Sequence, residues 1–275
     1  MRTFDGRCVV VTGAAGGLGA ALVRVFRQAG AQVAALDRDA QALQALHDRE
    51  ALLPAGPPWM TAVCDVTDFA SCQAAIDQAS ARFGGIDVLV NNAGISHRSA
   101  FAETQVEVLR WVMDVNFFGA VHCTRAAIDS LRRRHGLIIT ISSVAGYSPL
   151  IGRTGYAASK HALHGFFDSL RTEVEDDGVD VLMVCPSFID TGIDRAAIGG
   201  DGRAAARARQ TTGTPTQPAD VAVAILAAAR KERRLLLFSA TAKAAWWLSK
   251  LWPSRYAAVM KRRLRAEIFP DKTKP

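Results

Sequence analysis

Residues 7–19 read RCVVVTGAAGGLG, a short β-branched run that breaks into glycines at 13, 17 and 19. The run Arg7–Thr12 has the length and composition of a buried strand. A helical pattern follows from about Leu18 to Ala29, so TGAAGGLG (Thr12–Gly19) sits between a strand and a helix. Glycines at such a junction let the chain turn tightly and bring backbone N–H groups up to a pyrophosphate at a helix N-terminus. The spacing alone reads equally as a plain strand-to-helix turn. The next strand, Gln32–Asp37 (QVAALD), adds the second half of the signal, because it ends in a carboxylate 18 residues past Gly19. A carboxylate there can accept hydrogen bonds from both hydroxyls of an adenosine ribose. Together these features predict a dinucleotide site. Asp37 would repel a ribose 2′-phosphate, and positions 14–16 hold no Lys or Arg, which favours NAD. Arg38 can reach a 2′-phosphate and keeps NADP as the second choice.

Outward from this unit the same alternation continues. A helix is expected over Ala40–Leu53, a strand near Met60–Cys64, a helix over 68–83 and a strand over Ile86–Asn91. One long helix, about Glu103–Arg133, leads to strand Leu137–Ser142 and a helix over Thr154–Glu175. Strand Val179–Cys185, an irregular Ser187–Pro218 segment, a helix at 219–231 and strand Arg234–Phe238 complete the pattern. Apolar strands alternating with helices imply an α/β fold: a doubly wound parallel sheet covered on both faces. No repeat or linker divides the chain. Residues 1–239 are read as one dinucleotide-binding catalytic domain, and 240–275 as a C-terminal helical extension.

The 275 residues, 49% hydrophobic and 21% charged, suit a soluble globular protein with a large core. Five cysteines, odd in number and never spaced as CxxC, argue against a disulfide framework or a zinc site. No metal ligands are assigned. The first residues lack a secretory pattern, and no apolar run is long enough to span a membrane, so a cytoplasmic location is expected. The net charge of +7 is concentrated in residues 240–265, where seven Lys and Arg stand without an acid, leaving 26 basic and 26 acidic residues elsewhere. A neutral body gives nucleic-acid binding no support.

The stretch GYAASK (Gly155–Lys160) sets Tyr156 and Lys160 four residues apart, on one face of a helix. That pairing is common by chance. With TGAAGGLG, NNAG at 91–94 and YAASK in order, however, the chain resembles the short-chain dehydrogenase/reductase family over about residues 6–238. Tyr156 lies 13 residues after Ser143, and Ser143 lies 27 after Asn116, spacings this family commonly shows. The resemblance implies a Rossmann fold and a catalytic tetrad of Asn116, Ser143, Tyr156 and Lys160. Lys160 would activate the tyrosine and bind the nicotinamide ribose, Ser143 would hold the substrate oxygen, and Asn116 would hold a relay water. Cofactor contacts are implied at Gly13, Ala15, Gly17, Leu18, Gly19, Asp37, Arg38, Asp65, Val66, Asn92, Ala93 and Gly94. Tyr156, Lys160, Pro186, Ile189 and Thr191 complete that set. Ser142 is chemically as good as Ser143, Asn116 can instead serve the backbone, and Asp65 can instead cap a helix. Asn91 is read as structural. Ser187 departs from the family's usual glycine after the proline.

A phenol of pKa about 10 is only about 0.1% ionised at neutral pH, so a nearby ammonium is what makes it a base. The reading is therefore an NAD(P)-dependent oxidoreductase interconverting a secondary alcohol and a ketone. A non-catalytic dinucleotide sensor, and an epimerase or dehydratase, are the alternatives. Ser143, Ala145, Leu150, Phe188 and Ile193, with Ile95 and Tyr147, are candidate pocket residues, mostly apolar, suiting a small apolar alcohol or ketone. Homodimers or homotetramers through helices 103–133 and 154–177 are expected from the family. In the tail, Trp246, Trp247 and Trp252 accompany the basic residues. That pattern suits peripheral membrane contact through 240–268, or packing at the substrate entrance or on another subunit.

Overall fold

The computed structural model describes residues 1–52, 56–148, 150–190, 196–205 and 215–268. Its strands are β1 (Cys8–Thr12), β2 (Gln32–Asp37), β3 (Trp59–Val63), β4 (Val88–Asn91), β5 (Leu137–Ile141), β6 (Asp180–Cys185) and β7 (Leu235–Leu237). They form one sheet in the order β3-β2-β1-β4-β5-β6-β7, with every neighbouring pair parallel. The chain runs outward from β1 to β3, then returns to the other side of β1 with β4. That reversal opens a crevice beyond the carboxyl ends of β1 and β4.

Connecting the strands are α1 (Gly17–Gln28), α2 (Ala40–Ala51), α3 (Phe69–Phe83), α4 (Val106–Met113), α5 (Gly119–Arg133), α6 (Thr154–Val174) and α7 (Pro218–Arg230). Alternate strand residues face opposite sides of the sheet. Val9 and Val11 pack with Leu22 and Phe26 of α1 and Ile225 of α7. Cys8 and Val10 pack instead with Ile76 of α3, Leu131 of α5 and Phe167 of α6. Both faces are thereby buried, which is why the strands read as continuous apolar runs rather than as alternating ones.

The far end of the sheet is pinned by Asp87, only 2% exposed. Its carboxylate accepts from the Cys8 amide at 2.9 Å, from Arg7 at 2.7 Å, and from Arg134 at 2.9 and 3.0 Å. Burial pushes its pKa upward, but the hydrogen bonds from Arg134, Cys8 and Arg7 outweigh it and hold the carboxyl below its usual range. An acid buried without such partners would be strongly destabilising.

One element differs from expectation. The single helix over Glu103–Arg133 is divided: a 3-10 turn at Phe101–Glu103, α4, a π turn at Asp114–Phe118, then α5. A π turn inserts an extra residue per turn and is typical of functional sites. Here it carries Asn116.

Beyond β7 come α8 (Ala240–Leu251) and α9 (Pro253–Ile268). Ser239 caps α8 by accepting the Ala242 amide at 3.0 Å. The Tyr147 hydroxyl donates to the Ala242 carbonyl at 2.9 Å, and Tyr256 of α9 is 2% exposed. One side of the extension therefore packs on the turn after β5, while Trp247, Leu251, Trp252 and Val259 remain exposed. No helix among the described residues is long and apolar enough to cross a membrane.

Candidate active site

A cavity of about 520 Å³ lies in the crevice beyond β1, β4, β5 and β6, within the usual size of a small-molecule site. Gly13, Gly17, Leu18 and Gly19 line it from the first turn, Asp37 and Arg38 from the end of β2, and Asp65 and Val66 from beyond β3. Asn92, Ala93 and Gly94 line it from beyond β4, Ser143 from beyond β5, Tyr156 and Lys160 from α6, and Pro186 and Ile189 from beyond β6. Residues predicted as cofactor contacts from six separate segments thus meet on one wall.

Close backbone approach explains the glycines. Gly13 has φ +62°, and a Cβ there would sit 2.8 Å from the Ala93 Cα. A Cβ on Gly19 would run into the Gly13 carbonyl oxygen, where α1 crosses the turn. The side chain of Asn92 ties the end of β4 to this turn by donating to the Thr12 and Gly13 carbonyls at 2.9 and 3.1 Å. Asp37 is also a brace: one oxygen accepts the Ala15 amide at 3.0 Å, the other the Asp39 amide at 3.2 Å. Ala15 therefore acts from behind the cavity wall. Asp65 accepts from the Thr67 amide and hydroxyl at 2.9 and 2.8 Å. Those bonds, the amide's first, hold its carboxyl below the usual range. The cap of α3 is Asp68, not Asp65. Asn91 is structural as expected, donating to the Thr124 hydroxyl at 3.0 Å.

The tyrosine–lysine pair stands at the start of α6. Lys160 is 5% exposed, its Nζ donates to the Ile141 carbonyl at 2.9 Å, and it lies 5.7 Å from the centroid of the Tyr156 ring. Burial pushes the Lys160 pKa down to about 8, against the opposing pull of Cys185. The two serines separate clearly. Ser142 is 2% exposed and donates back to the Lys160 carbonyl at 3.3 Å. Ser143 is partly exposed, and its hydroxyl oxygen accepts the Ala145 amide at 3.2 Å, leaving its proton to point elsewhere. Asn116 is 1% exposed. Its Oδ1 accepts the Ile95 amide at 2.7 Å, and its Nδ2 donates to the Ile95 carbonyl and the Ser159 hydroxyl, both at 3.0 Å. These contacts give the side chain a positioning role.

The pocket residues need correction. Leu150, Phe188 and Ile95 line the cavity as expected, but Ala145 is fully buried and does not. It follows Ser143 into a 3-10 turn that carries it inward. Tyr147 likewise turns away to α8. Thr191 and Ile193 lie outside the described residues. Ser187, in place of the usual glycine, needs no left-handed backbone and accepts a hydrogen bond from Ser239 at 3.4 Å. Among the wall residues that were missed are Ser96 and Arg153. Arg153 is 5% exposed and stands just before α6 as its N-cap residue, outside any sequence motif.

A family profile described as short chain dehydrogenase matches residues 7–199. A Bos taurus protein described as dehydrogenase/reductase SDR family member 7B is 38% identical over 265 residues, spanning 94% of this chain and 82% of its own. An Anopheles gambiae protein described as dehydrogenase/reductase SDR family protein 7-like is 37% identical over 268 residues, spanning 95% and 84%. A solved short-chain dehydrogenase from Streptomyces avermitilis matches with TM-score 0.76 and 28% identity, over 94% of this chain and 97% of that one. An alcohol dehydrogenase from Thermococcus sibiricus, complexed with 5-hydroxy-NADP, shares the fold at TM-score 0.71 and 23% identity, over 84% and 94%. The chain belongs to the short-chain dehydrogenase/reductase family. It is an oxidoreductase of a family that works with NAD(P)(H).

The Lys160 shift has a measurable consequence. Its folded-state pKa of about 8 lies below the unfolded value of about 10.4. Across that window the unfolded chain holds a proton that the folded chain has lost, so this group adds stability as pH rises. Thermal unfolding of the wild type and Lys160→Met should show the wild type gaining on the variant between pH 8 and 10. Parallel curves would contradict the assignment.

Proposed function

We propose that this protein interconverts a secondary alcohol and a ketone, with Tyr156 moving the hydroxyl proton. The observation that carries the reading is the buried Lys160 ammonium 5.7 Å from the Tyr156 ring, both on the cavity wall that Ser143 also lines. A nicotinamide dinucleotide fits the glycine cradle and, when bound, accepts or supplies the hydride. Gly13, Gly17, Leu18 and Gly19 would receive its pyrophosphate at the start of α1, and Asp37 its adenosine ribose.

In the oxidative direction the substrate hydroxyl gives its proton to the Tyr156 oxygen as hydride leaves its carbon. The Lys160 charge favours the phenolate and so brings the tyrosine nearer to working pH. The Ser143 hydroxyl donates to the substrate oxygen and steadies the charge on it. Reduction runs the same path backward. Asn116 supports the pair from beneath, because Ser159, which it holds, donates to the Tyr156 carbonyl at 2.8 Å.

NAD is the favoured cofactor, since the Asp37 carboxylate stands where a 2′-phosphate would come. Arg38 on the same wall supports NADP as the second choice. Ile95, Leu150 and Phe188 support a small apolar alcohol or ketone. On this reading residues 1–239 form the catalytic unit. In the extension, exposed Lys243, Lys250, Arg255, Lys261, Arg262 and Arg263 accompany exposed Trp247 and Trp252, suited to peripheral contact with an anionic membrane through 240–268. A homodimer or homotetramer through α4, α5 and α6 is proposed on the family's habit.

Two experiments test these statements. Tyr156→Phe should lower kcat on a panel of apolar secondary alcohols by about 10²–10⁴-fold while NAD(H) binding changes little. Full turnover by the variant would refute the mechanism, and faster turnover with NADP(H) would reverse the cofactor choice. Sedimentation of the full chain should show an oligomer and co-sedimentation with anionic vesicles, the latter lost on deleting 240–275. A monomer would remove the oligomer, and vesicle binding that survives the deletion would remove the membrane contact from the tail.

A further inference from the structure

Cysteines that are scattered in the sequence converge in the fold. Cys64 follows β3, Cys72 lies in α3 and Cys123 in α5, and all three are buried and free of disulfides. Their sulfur atoms lie within 4.8 Å of one another, with Cys123 Sγ to Cys72 Sγ at 3.6 Å. A cation bonded to three sulfurs at about 2.3 Å in a trigonal plane would set them about 4 Å apart. The cluster therefore needs only small side-chain rotations to close on such an ion.

We propose that Cys64, Cys72 and Cys123 form a three-sulfur site for a soft d10 cation of the Cu(I) or Cd(II) class, coupled to the cofactor pocket. Three donors from three elements, with no further His, Cys, Asp or Glu in the group among the described residues, suit an ion content with trigonal sulfur better than four-coordinate zinc. As each metal–sulfur bond forms, a thiol proton leaves to solvent. No electron is transferred and no other reactant is needed.

The coupling follows from what Cys72 does without metal. Its thiol donates to the Asp65 and Val66 carbonyls at 3.7 and 3.6 Å. Asp65 and Val66, with Cys64 itself, line the cavity at the end assigned above to adenosine. Metal binding removes the thiol proton, and with it one donor shared by both carbonyls of this turn. His122, beside Cys123, donates from Nδ1 to the same Val66 carbonyl at 2.9 Å, so that carbonyl is left with one of its two side-chain partners. Occupancy of the sulfur site should thus weaken dinucleotide binding. This coupling rests on the function proposed above, whereas metal binding itself does not.

The test is titration of the reduced full-length protein with Cd(II) alone, in buffer free of competing thiols. A thiolate-to-cadmium charge-transfer band should rise and saturate at one equivalent. It should be lost in Cys72→Ala/Cys123→Ala and kept in Cys8→Ala. Absence of a saturable band, or an undiminished band in a double variant with wild-type circular dichroism, would overturn the site. Should the double variant fail to fold, the cadmium NMR shift of the wild type decides. A shift in the sulfur-only region supports the site, and one in the oxygen and nitrogen region overturns it. Cd(II) should also weaken NADH binding several-fold. Unchanged NADH affinity in the loaded protein would remove the coupling, and a protein that binds Cd(II) but no dinucleotide at all would refute the pocket assignment while leaving the sulfur site standing.

Discussion

One buried carboxamide, that of Asn116, joins three segments far apart in the chain. It holds the backbone of Ile95 beyond β4 from both sides and reaches across to Ser159 in α6. The extra residue of the π turn at Asp114–Phe118 is what brings this side chain to that junction. A buried amide left without partners would cost about 1–3 kcal/mol per group, so the three segments are locked in a single register. The cavity wall formed by Gly94, Ile95 and Tyr156, and the depth at which Lys160 lies, follow from that register. A Cβ on Gly94 would already meet Asn116 Oδ1 at 3.1 Å and Lys160 Nζ at 3.6 Å.

From this frame the chemistry follows with few further parts. Burial makes the Lys160 charge costly, and pushes its pKa down to about 8. The same burial raises the effect of that charge on a neighbouring phenol, because little solvent screens it. The Ile141 carbonyl, at 2.9 Å from Nζ, offsets part of the cost and aims the ammonium. Ser142 and Ser143 both reach the cavity wall but differ in their bonds. The buried Ser142 hydroxyl donates to the Lys160 carbonyl, while the half-buried Ser143 oxygen accepts the Ala145 amide. At the other end of the crevice Asp37 braces the glycine turn while still facing the site.

The alternation of apolar strands and helices was legible because period and length are local properties. Strand β2 matched its expected ends, and helix α6 fell within a residue of them. That the glycine turn, Asp37 and the Tyr156–Lys160 pair meet at one cavity was legible because each sits in a short motif with fixed spacing. What local pattern could not show was long-range. The π turn looks like ordinary helix in sequence, since the contact it serves is with a partner 21 residues upstream. Ala145 and Tyr147 share apolar character with true pocket residues but turn inward with the 3-10 turn and α8. Arg153 belongs to no motif, and the meeting of Cys64, Cys72 and Cys123 depends on how α3 and α5 pack on the sheet. The packing of the tail is likewise long-range: Tyr256 is buried, while Trp247 and Trp252 stay exposed.

The most direct measurement of the central claim is the pH profile of kcat for alcohol oxidation in the wild type and in Asn116→Ala. If Asn116 sets the register of Tyr156 and Lys160, its loss should cut kcat and move the apparent pKa of the base upward, toward the value of about 10 for a free phenol. A variant with lowered thermal stability but an unmoved pH profile would contradict the account.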